Sequence, residues 1–183
     1  MGNSDYENAK QMNLAANECL KKGDFSGAVE NFSKALKSLS ESDRQARARL
    51  HSNMGHAHVA LRRHEDALSS FRNAEELFNQ LGDPIARGEQ LGNIGSVYRD
   101  IEKWDAAMEV YMKALEIFKE ADHRVGVADQ YSNLGYAHFR QAEFEKAFQF
   151  FGKAKALYDE LGESEKSQLC GQNIQALKSH VKE

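Results

Sequence analysis

Proline is nearly missing from this 183-residue chain, Pro84 being the single one. Proline interrupts helices, and no Ser/Gly-rich stretch replaces it as a linker, so residues 1–183 read as one uninterrupted array. There are two cysteines, Cys19 and Cys170, too few for a disulfide framework and placed near opposite ends of the sequence. A bond between them is implausible in an array, and a soluble, reducing, cytoplasmic setting is expected. No run of about 18 apolar residues and no apolar signal-peptide stretch is present, so no membrane partner is expected. The Met-Gly start lacks the Ser or Thr that myristoylation prefers four places after the glycine. Charge of one sign is also lacking: 24 basic residues stand against 28 acidic ones, interspersed, which gives no basic stripe for nucleic acid.

What the chain has instead is repetition. Tyr131-Ser-Asn-Leu-Gly-Tyr-Ala-His138 matches Leu91-Gly-Asn-Ile-Gly-Ser-Val-Tyr98 and His51-Ser-Asn-Met-Gly-His-Ala-His58. The interval is 40 residues, kept by Asn13, Asn53, Asn93, Asn133 and Asn173. A fixed period between about 20 and 50 residues means a solenoid or array. A second motif follows each first one: Ala67-x3-Phe71-x2-Ala74, Ala107-x3-Tyr111-x2-Ala114 and Ala147-x3-Phe151-x2-Ala154. The opening repeat is a degraded copy, with Met12, Ala15, Ala16 and Cys19 on one helix and Ala28, Phe32 and Ala35 on the next.

A large residue, an apolar-Gly pair and an aromatic on one helix, then small-aromatic-small on the next, resembles the tetratricopeptide repeat family over roughly residues 9–160. The small residues, such as Gly95 and Ala107, let two antiparallel helices approach, while Tyr98, Tyr111 and Trp104 fill the space around the contact. The 40-residue period is similar to the long-repeat branch, which includes kinesin light chains, Leu-Gly-Asn-type adaptors and Rap-type regulators. The resemblance implies an all-α, right-handed superhelical solenoid of antiparallel helix hairpins.

In chain order, Met1–Asp5 reads as a disordered start. Helix pairs are then predicted over about 6–22 and 25–39, 43–61 and 64–81, 83–101 and 104–121, and 123–141 and 144–161. These make four repeats, about 6–40, 43–81, 83–121 and 123–161. Gly23-Asp24 is read as a turn, Gly82 and Gly162 as helix stops, and Ser40-Glu-Ser-Asp43, Asp83 ahead of Pro84, and Asp122 as caps. A last helix over 164–181, with Leu169, Ile174, Leu177 and Val181 on one side, is predicted to cap the array, making nine helices.

In the long-repeat branch, the resemblance implies, an asparagine beside the apolar-Gly pair grips the backbone of a bound peptide. The residues agree. Asn53, Asn93 and Asn133 precede the inward Met54, Ile94 and Leu134, so they fall about 100° around the helix from the core. Asparagine is a mediocre helix former, and an amide carries both donor and acceptor, as a peptide unit does. Asn13 and Asn173 extend the ladder. In the first repeat Asn17 is the alternative groove residue, because the turn there is one residue longer relative to Asn13.

The same face carries Arg49, His56, Glu89, Ser96, Arg99, Asp100, Asp129, Tyr136, Phe139 and Arg140. Arg99 and Arg140 are candidates to hold a ligand carboxylate, and Tyr136 with Phe139 to form an apolar pocket. Two alternatives stay open: asparagines that bond neighbouring helices, and arginines that form solvated ion pairs with Asp100, Glu89 and Asp129. Glu89 and Asn93 stand where a chaperone-tail clamp needs lysine and arginine, so that use is not expected.

His51, His58, His64 and His138 occupy large or aromatic positions of the repeat, where packing accounts for them without a metal. No zinc, phosphate-loop or nucleophile-elbow motif occurs, and neither enzyme activity nor a cofactor is expected. The expected partner is therefore a peptide or helical segment of another protein, with the chain a monomer or weak homodimer. Self-assembly through the ends or the convex face is the competing reading.

Overall fold

The computed structural model describes the backbone of residues 2–178 and the side chains of residues 5–178. These residues form nine helices and no strand: α1 Gly2–Lys21, α2 Phe25–Ser38, α3 Arg44–Ala60, α4 His64–Leu81, α5 Pro84–Asp100, α6 Trp104–Glu120, α7 Arg124–Arg140, α8 Phe144–Leu161 and α9 Ser164–Leu177. Two differences from expectation stand at the ends. α1 begins at Gly2, with Asp5 in its first turn, where a disordered start was predicted. Residues 179–181 of the expected capping helix, including Val181, lie outside the described residues.

The chain divides into two compact units, Met1–Val97 and Tyr98–Glu183. In the first, α1 packs on α2, α2 on α3 and α3 on α4. Phe32, Ala28 and Ala35 of α2 are fully buried against Ala9 and Ala16 of α1 and Leu50 of α3. Gly55 is required by close approach, because a β-carbon there would lie 2.5 Å from Cε1 of the buried Phe71. Phe78 and Ala74 of α4 continue this core with Ala48.

In the second unit α6 packs on α7, α7 on α8 and α8 on α9. Tyr111 and Leu115 meet Leu134, and Phe151 and Tyr158 meet Ala128, Cys170 and Leu177. Gly135 repeats the role of Gly55, with Phe151 Cδ1 2.8 Å from where its β-carbon would be. Each fully buried aromatic contributes about 1.5–3 kcal/mol of apolar burial, so the small-aromatic-small motif supplies much of each hairpin's cohesion.

The turns repeat as strictly as the helices. Gly23, Arg62, Glu102 and Ala142 take positive φ (74°, 56°, 58° and 58°) between the two helices of a pair. Gly82, Asp122 and Gly162 do so between pairs (67°, 51° and 75°). At Gly82 the amide bonds the Asn79 carbonyl and the next amide, Asp83 N–H, reaches the Phe78 carbonyl at 3.0 Å, a closure that favours glycine.

Asp24, expected only in a turn, caps α2, its Oδ1 accepting from Gly27 N–H at 2.9 Å, and one cap falls as expected: Asp83 Oδ1 accepts from Ala86 N–H at 3.0 Å. Others do not. Asp122 sits in the left-handed turn and His123 caps α7, its Nδ1 accepting from Gly126 N–H at 3.2 Å. Asp43 turns its carboxylate back onto Ser40 N–H at 3.0 Å, closing the loop instead of capping α3. On α9 the buried side carries Ser167, Cys170 and Leu177, and Leu169 is 56% exposed, because that 3–4 spacing starts at Ser167 and leaves Leu169 one position off the stripe.

Candidate functional site

The ladder asparagines Asn53, Asn93, Asn133 and Asn173 are half-buried, closer to the helix contacts than fully exposed positions would be. Inward-facing neighbours draw them there: Ile94 and Leu134 are buried, Met54 and Ile174 partly so. Among the described residues, the only side-chain hydrogen bond these four make is from Asn133 Nδ2 to Gln130 Oε1, 3.3 Å away on the same helix.

Asn13 does not share their register. The left-handed turn at Gly23 precedes Arg62 by 39 residues, whereas Arg62, Glu102 and Ala142 are 40 apart. Counted from the turn, Ala16 stands where Gly55 and Gly135 stand, and Asn13 where Ser52 and Ser132 stand. Leu14 takes the ladder position and is 59% exposed. Asn17, half-buried, takes the position of His56, which is exposed and set edge-on to Phe71 at 5.1 Å.

The shift turns Asn13 toward α3, where it joins Arg49 and Asn53 in a cavity of about 240 Å³. Ala9 and Leu50 are buried at its floor, and Tyr6, Lys10 and Arg49 are exposed around it. Asn13 Oδ1 is buried there without a hydrogen-bond partner. The equivalent contact in the second unit explains why. There Cys170 Sγ donates to Ser132 Oγ at 3.8 Å, but in the first unit the place of Cys170 is taken by Leu50, which has no donor. Tyr6 and Lys10 carry no repeat motif, and the one available sequence signal for them is the displaced turn at Gly23.

In the second unit Tyr136, 38% exposed, gathers a different cluster. Its ring meets Trp104 edge-on at 6.1 Å, and the Arg140 guanidinium lies 4.8 Å from the Trp104 ring centre. Arg140 also donates to Tyr136 Oη at 3.3 Å and to Glu102 Oε1 at 3.2 Å. Trp104, expected to be a packing residue, thus carries a cation on its face. Phe139, expected to form an apolar pocket with Tyr136, packs against Phe144 and the α7–α8–α9 core.

Other expected groove residues have structural partners. Arg99 bonds its neighbour Asp100 at 3.0 Å. Asp129 accepts from Tyr158 Oη at 2.6 Å and Lys166 Nζ at 2.8 Å, fastening α7 to α8 and α9. Burial, and then that hydrogen bond, raise the Tyr158 hydroxyl well above its ordinary value, so it stays a donor. Ser96 is half-buried with a partner of its own, and Glu89 is exposed.

His58 and His138 sit in packing positions. His138 stacks on Phe150 at 5.2 Å and bonds Glu143, and buried His58 lies 3.9 Å from Asp66. Burial lowers the His58 and His51 imidazoles below the ordinary histidine value, with Arg63 and Arg47 adding to it and Asp66 opposing it at His58. Among the described residues no three His, Cys, Asp or Glu side chains are grouped to hold a metal ion, and no helix is long and apolar enough to cross a membrane.

Comparison with known proteins bears on the fold. Residues 90–160 match the family model described as tetratricopeptide repeat. No curated protein sequence matches the chain. Among solved structures, the apo form of RapI is similar at 18% identity and a TM-score of 0.81, over 96% of this chain and 69% of that one. Aspartyl phosphate phosphatase F from Bacillus subtilis has 18% identity and a TM-score of 0.79, over 96% of this chain and 50% of that one. A Signal Transduction ATPase with Numerous Domains from Pyrococcus horikoshii, with a tetratricopeptide repeat sensor, has 16% identity and a TM-score of 0.87, over 94% of this chain and 27% of that one.

Proposed function

We propose that this chain, a member of the tetratricopeptide repeat family, is a non-enzymatic protein-interaction module that holds a segment of a partner protein on the asparagine-bearing faces of its first helices. The observation that carries the reading is the set of in-register, half-buried asparagines, of which Asn53, Asn93 and Asn173 make no side-chain hydrogen bond among the described residues. An amide left open on a helix face offers a donor and an acceptor to a peptide unit. Each such contact gives about 0.5–1.5 kcal/mol, while micromolar affinity needs about 8 kcal/mol, so side-chain sites must supply the remainder and the choice of sequence. The phosphatase activity named for the Bacillus subtilis neighbour is not carried over, since 18% identity speaks for the fold alone. Two free thiols fit a reducing, cytoplasmic setting.

The test is a crosslinked pull-down from lysate, comparing the wild type with a protein in which Asn53, Asn93 and Asn133 are alanine. The expected result is a protein captured by the wild type alone, with the melting temperature nearly unchanged. Equal capture by both would overturn the reading, and a large fall in melting temperature would make the asparagines structural. One observation favours self-assembly as a second reading: Leu14 and Leu169, on the first and last helices, are 59% and 56% exposed. A concentration series in light scattering separates the two, since a monomer throughout removes assembly.

A further inference from the structure

The second unit carries a pair of cations that the asparagine-bearing faces do not use. Tyr131 of α7 is half-buried, and the helices before and after it each place a lysine over its ring. Lys119 Nζ of α6 lies 5.4 Å from the ring centre and Lys153 Nζ of α8 5.5 Å, the latter also 5.4 Å from the centre of the Phe150 ring. Both lysines are exposed, and neither forms an ion pair with a described residue. The Tyr131 hydroxyl makes no hydrogen bond among the described residues.

Their unpaired state departs from the pattern of the repeat. Lys113 stands one 40-residue interval before Lys153 and is neutralised at 2.6 Å by Glu109, four residues earlier on α6. The residue four before Lys153 is Gln149, which carries no charge. The other lysines of α8, Lys146 and Lys155, have Glu143 and Asp159 at 2.8 and 2.7 Å. Glu116 is one turn before Lys119 and forms no ion pair with it. Aromatic faces hold the two ammonium groups in place without neutralising them.

Two ammonium groups and a phenol O–H thus gather around one ring with no acceptor among them. A phosphoryl dianion matches this set: its charge of about −2 balances both cations, and its three terminal oxygens take one donor each. A carboxylate has a single charge and two oxygens, which leaves one cation unmatched. Lysine acts at such sites as a point charge and needs no fixed planar fork. The hydroxyl projects from the electropositive edge of the ring, so an oxyanion reaching it avoids the negative faces where the ammonium groups sit.

We infer that Lys119, Tyr131 and Lys153 receive a phosphoryl group, carried by inorganic phosphate or by a phosphorylated side chain. Each Nζ donates to one oxygen and Tyr131 Oη to the third. Asn133 is two residues further on and about 200° around α7, so the site is turned away from the asparagine ladder and does not depend on it.

The test is a titration of the 15N-labelled full chain, followed by amide NMR shifts, at a constant ionic strength of about 50 mM. The probes are inorganic phosphate and an acetylated, amidated phosphoserine peptide, with the same peptide carrying glutamate for comparison. Saturable shifts centred on residues 119, 131 and 153 are expected, and the glutamate peptide should bind about tenfold more weakly than the phosphopeptide. Tighter binding of phosphate makes a free anion the ligand, and tighter binding of the phosphopeptide makes it a modified chain. Lys119→Gln together with Lys153→Gln, both exposed, should weaken either probe about tenfold or more, and Tyr131→Phe, which keeps the ring, about threefold. Lys113→Gln should leave binding unchanged. Amide shifts away from the site report whether each variant stays folded. No saturable shift with either probe, equal binding of the glutamate peptide, or an effect of Lys113→Gln as large as that of the double change overturns the assignment. The triple asparagine variant should bind phosphate as the wild type does, so this site and the asparagine reading fail separately.

Discussion

Replacing Asn13 with leucine should make the protein more stable. The side chain keeps its branched four-atom shape, with methyl groups bulkier than the amide, and loses a buried acceptor that no described donor reaches. Such a group costs about 1–3 kcal/mol of desolvation, and leucine is also the better helix former by a few tenths of a kcal/mol. Crowding is the opposing effect, but the cavity of about 240 Å³ beside Asn13 gives the new side chain room to settle on Leu50 and Ala9. The expected net gain is about 1–3 kcal/mol, and a chain of this size moves about 2–4 °C in Tm per kcal/mol. Urea unfolding followed by circular dichroism measures it, and hydrogen exchange of the α1 amides localises it, which matters because repeat arrays can open one unit at a time. Asn133→Leu is the control. It breaks the bond to Gln130 and should be neutral or cost up to about 1 kcal/mol. Should Asn13→Leu unfold at lower urea, or its α1 amides exchange faster, Asn13 has a partner in solution and the register argument is wrong.

Two further outcomes test the packing. Gly55→Ala should lower stability by about 1–2 kcal/mol, overpacking against Phe71 outweighing the better helix propensity. Gly152→Ala, whose β-carbon would meet nothing within 4 Å, should raise it by about 0.5–1 kcal/mol, and equal signs in chemical denaturation would refute the close-approach role. For pH, burial depresses the His58 and His51 values, so the unfolded chain takes up protons first as pH falls through about 6.5. Their contribution is constant above that value and is lost as pH falls toward the depressed folded values. Urea midpoints at about pH 7.5 and about pH 5.5 should therefore differ less in His58→Gln than in the wild type, and an unchanged difference would exclude His58.

Much of the architecture was legible because it is encoded locally. The 40-residue period placed nine helices, Gly82 and Gly162 stopped two of them, and Asp83 capped another through a contact three residues away. The miss at Asp122 is of another kind. Aspartate is a favourable cap residue, but the repeated turn puts position 122 at positive φ and hands the cap to His123. The Arg99–Asp100 pair was one of the alternatives the sequence left open, whereas Asp129 and Phe139 are engaged by Tyr158, Lys166 and Phe144 on other helices, which helical spacing does not identify.

By itself the sequence determined the helix count, the pairing of glycine with aromatic in the second to fourth hairpins, and the face on which the asparagines repeat. Those properties depend on residues three or four apart on a helix, or on motifs copied at one interval. Only the tertiary structure decided which polar groups are engaged, because their partners lie far along the chain: Asp129 is fastened by Tyr158 and Lys166, 29 and 37 residues on, and Arg140 by Glu102, 38 residues back. The same holds for Asn13. A single extra residue before Gly23 is visible in the sequence, but that Asn13 then lines a cavity with Leu50 of α3 and its oxygen is left without a described partner follows only from the tertiary structure.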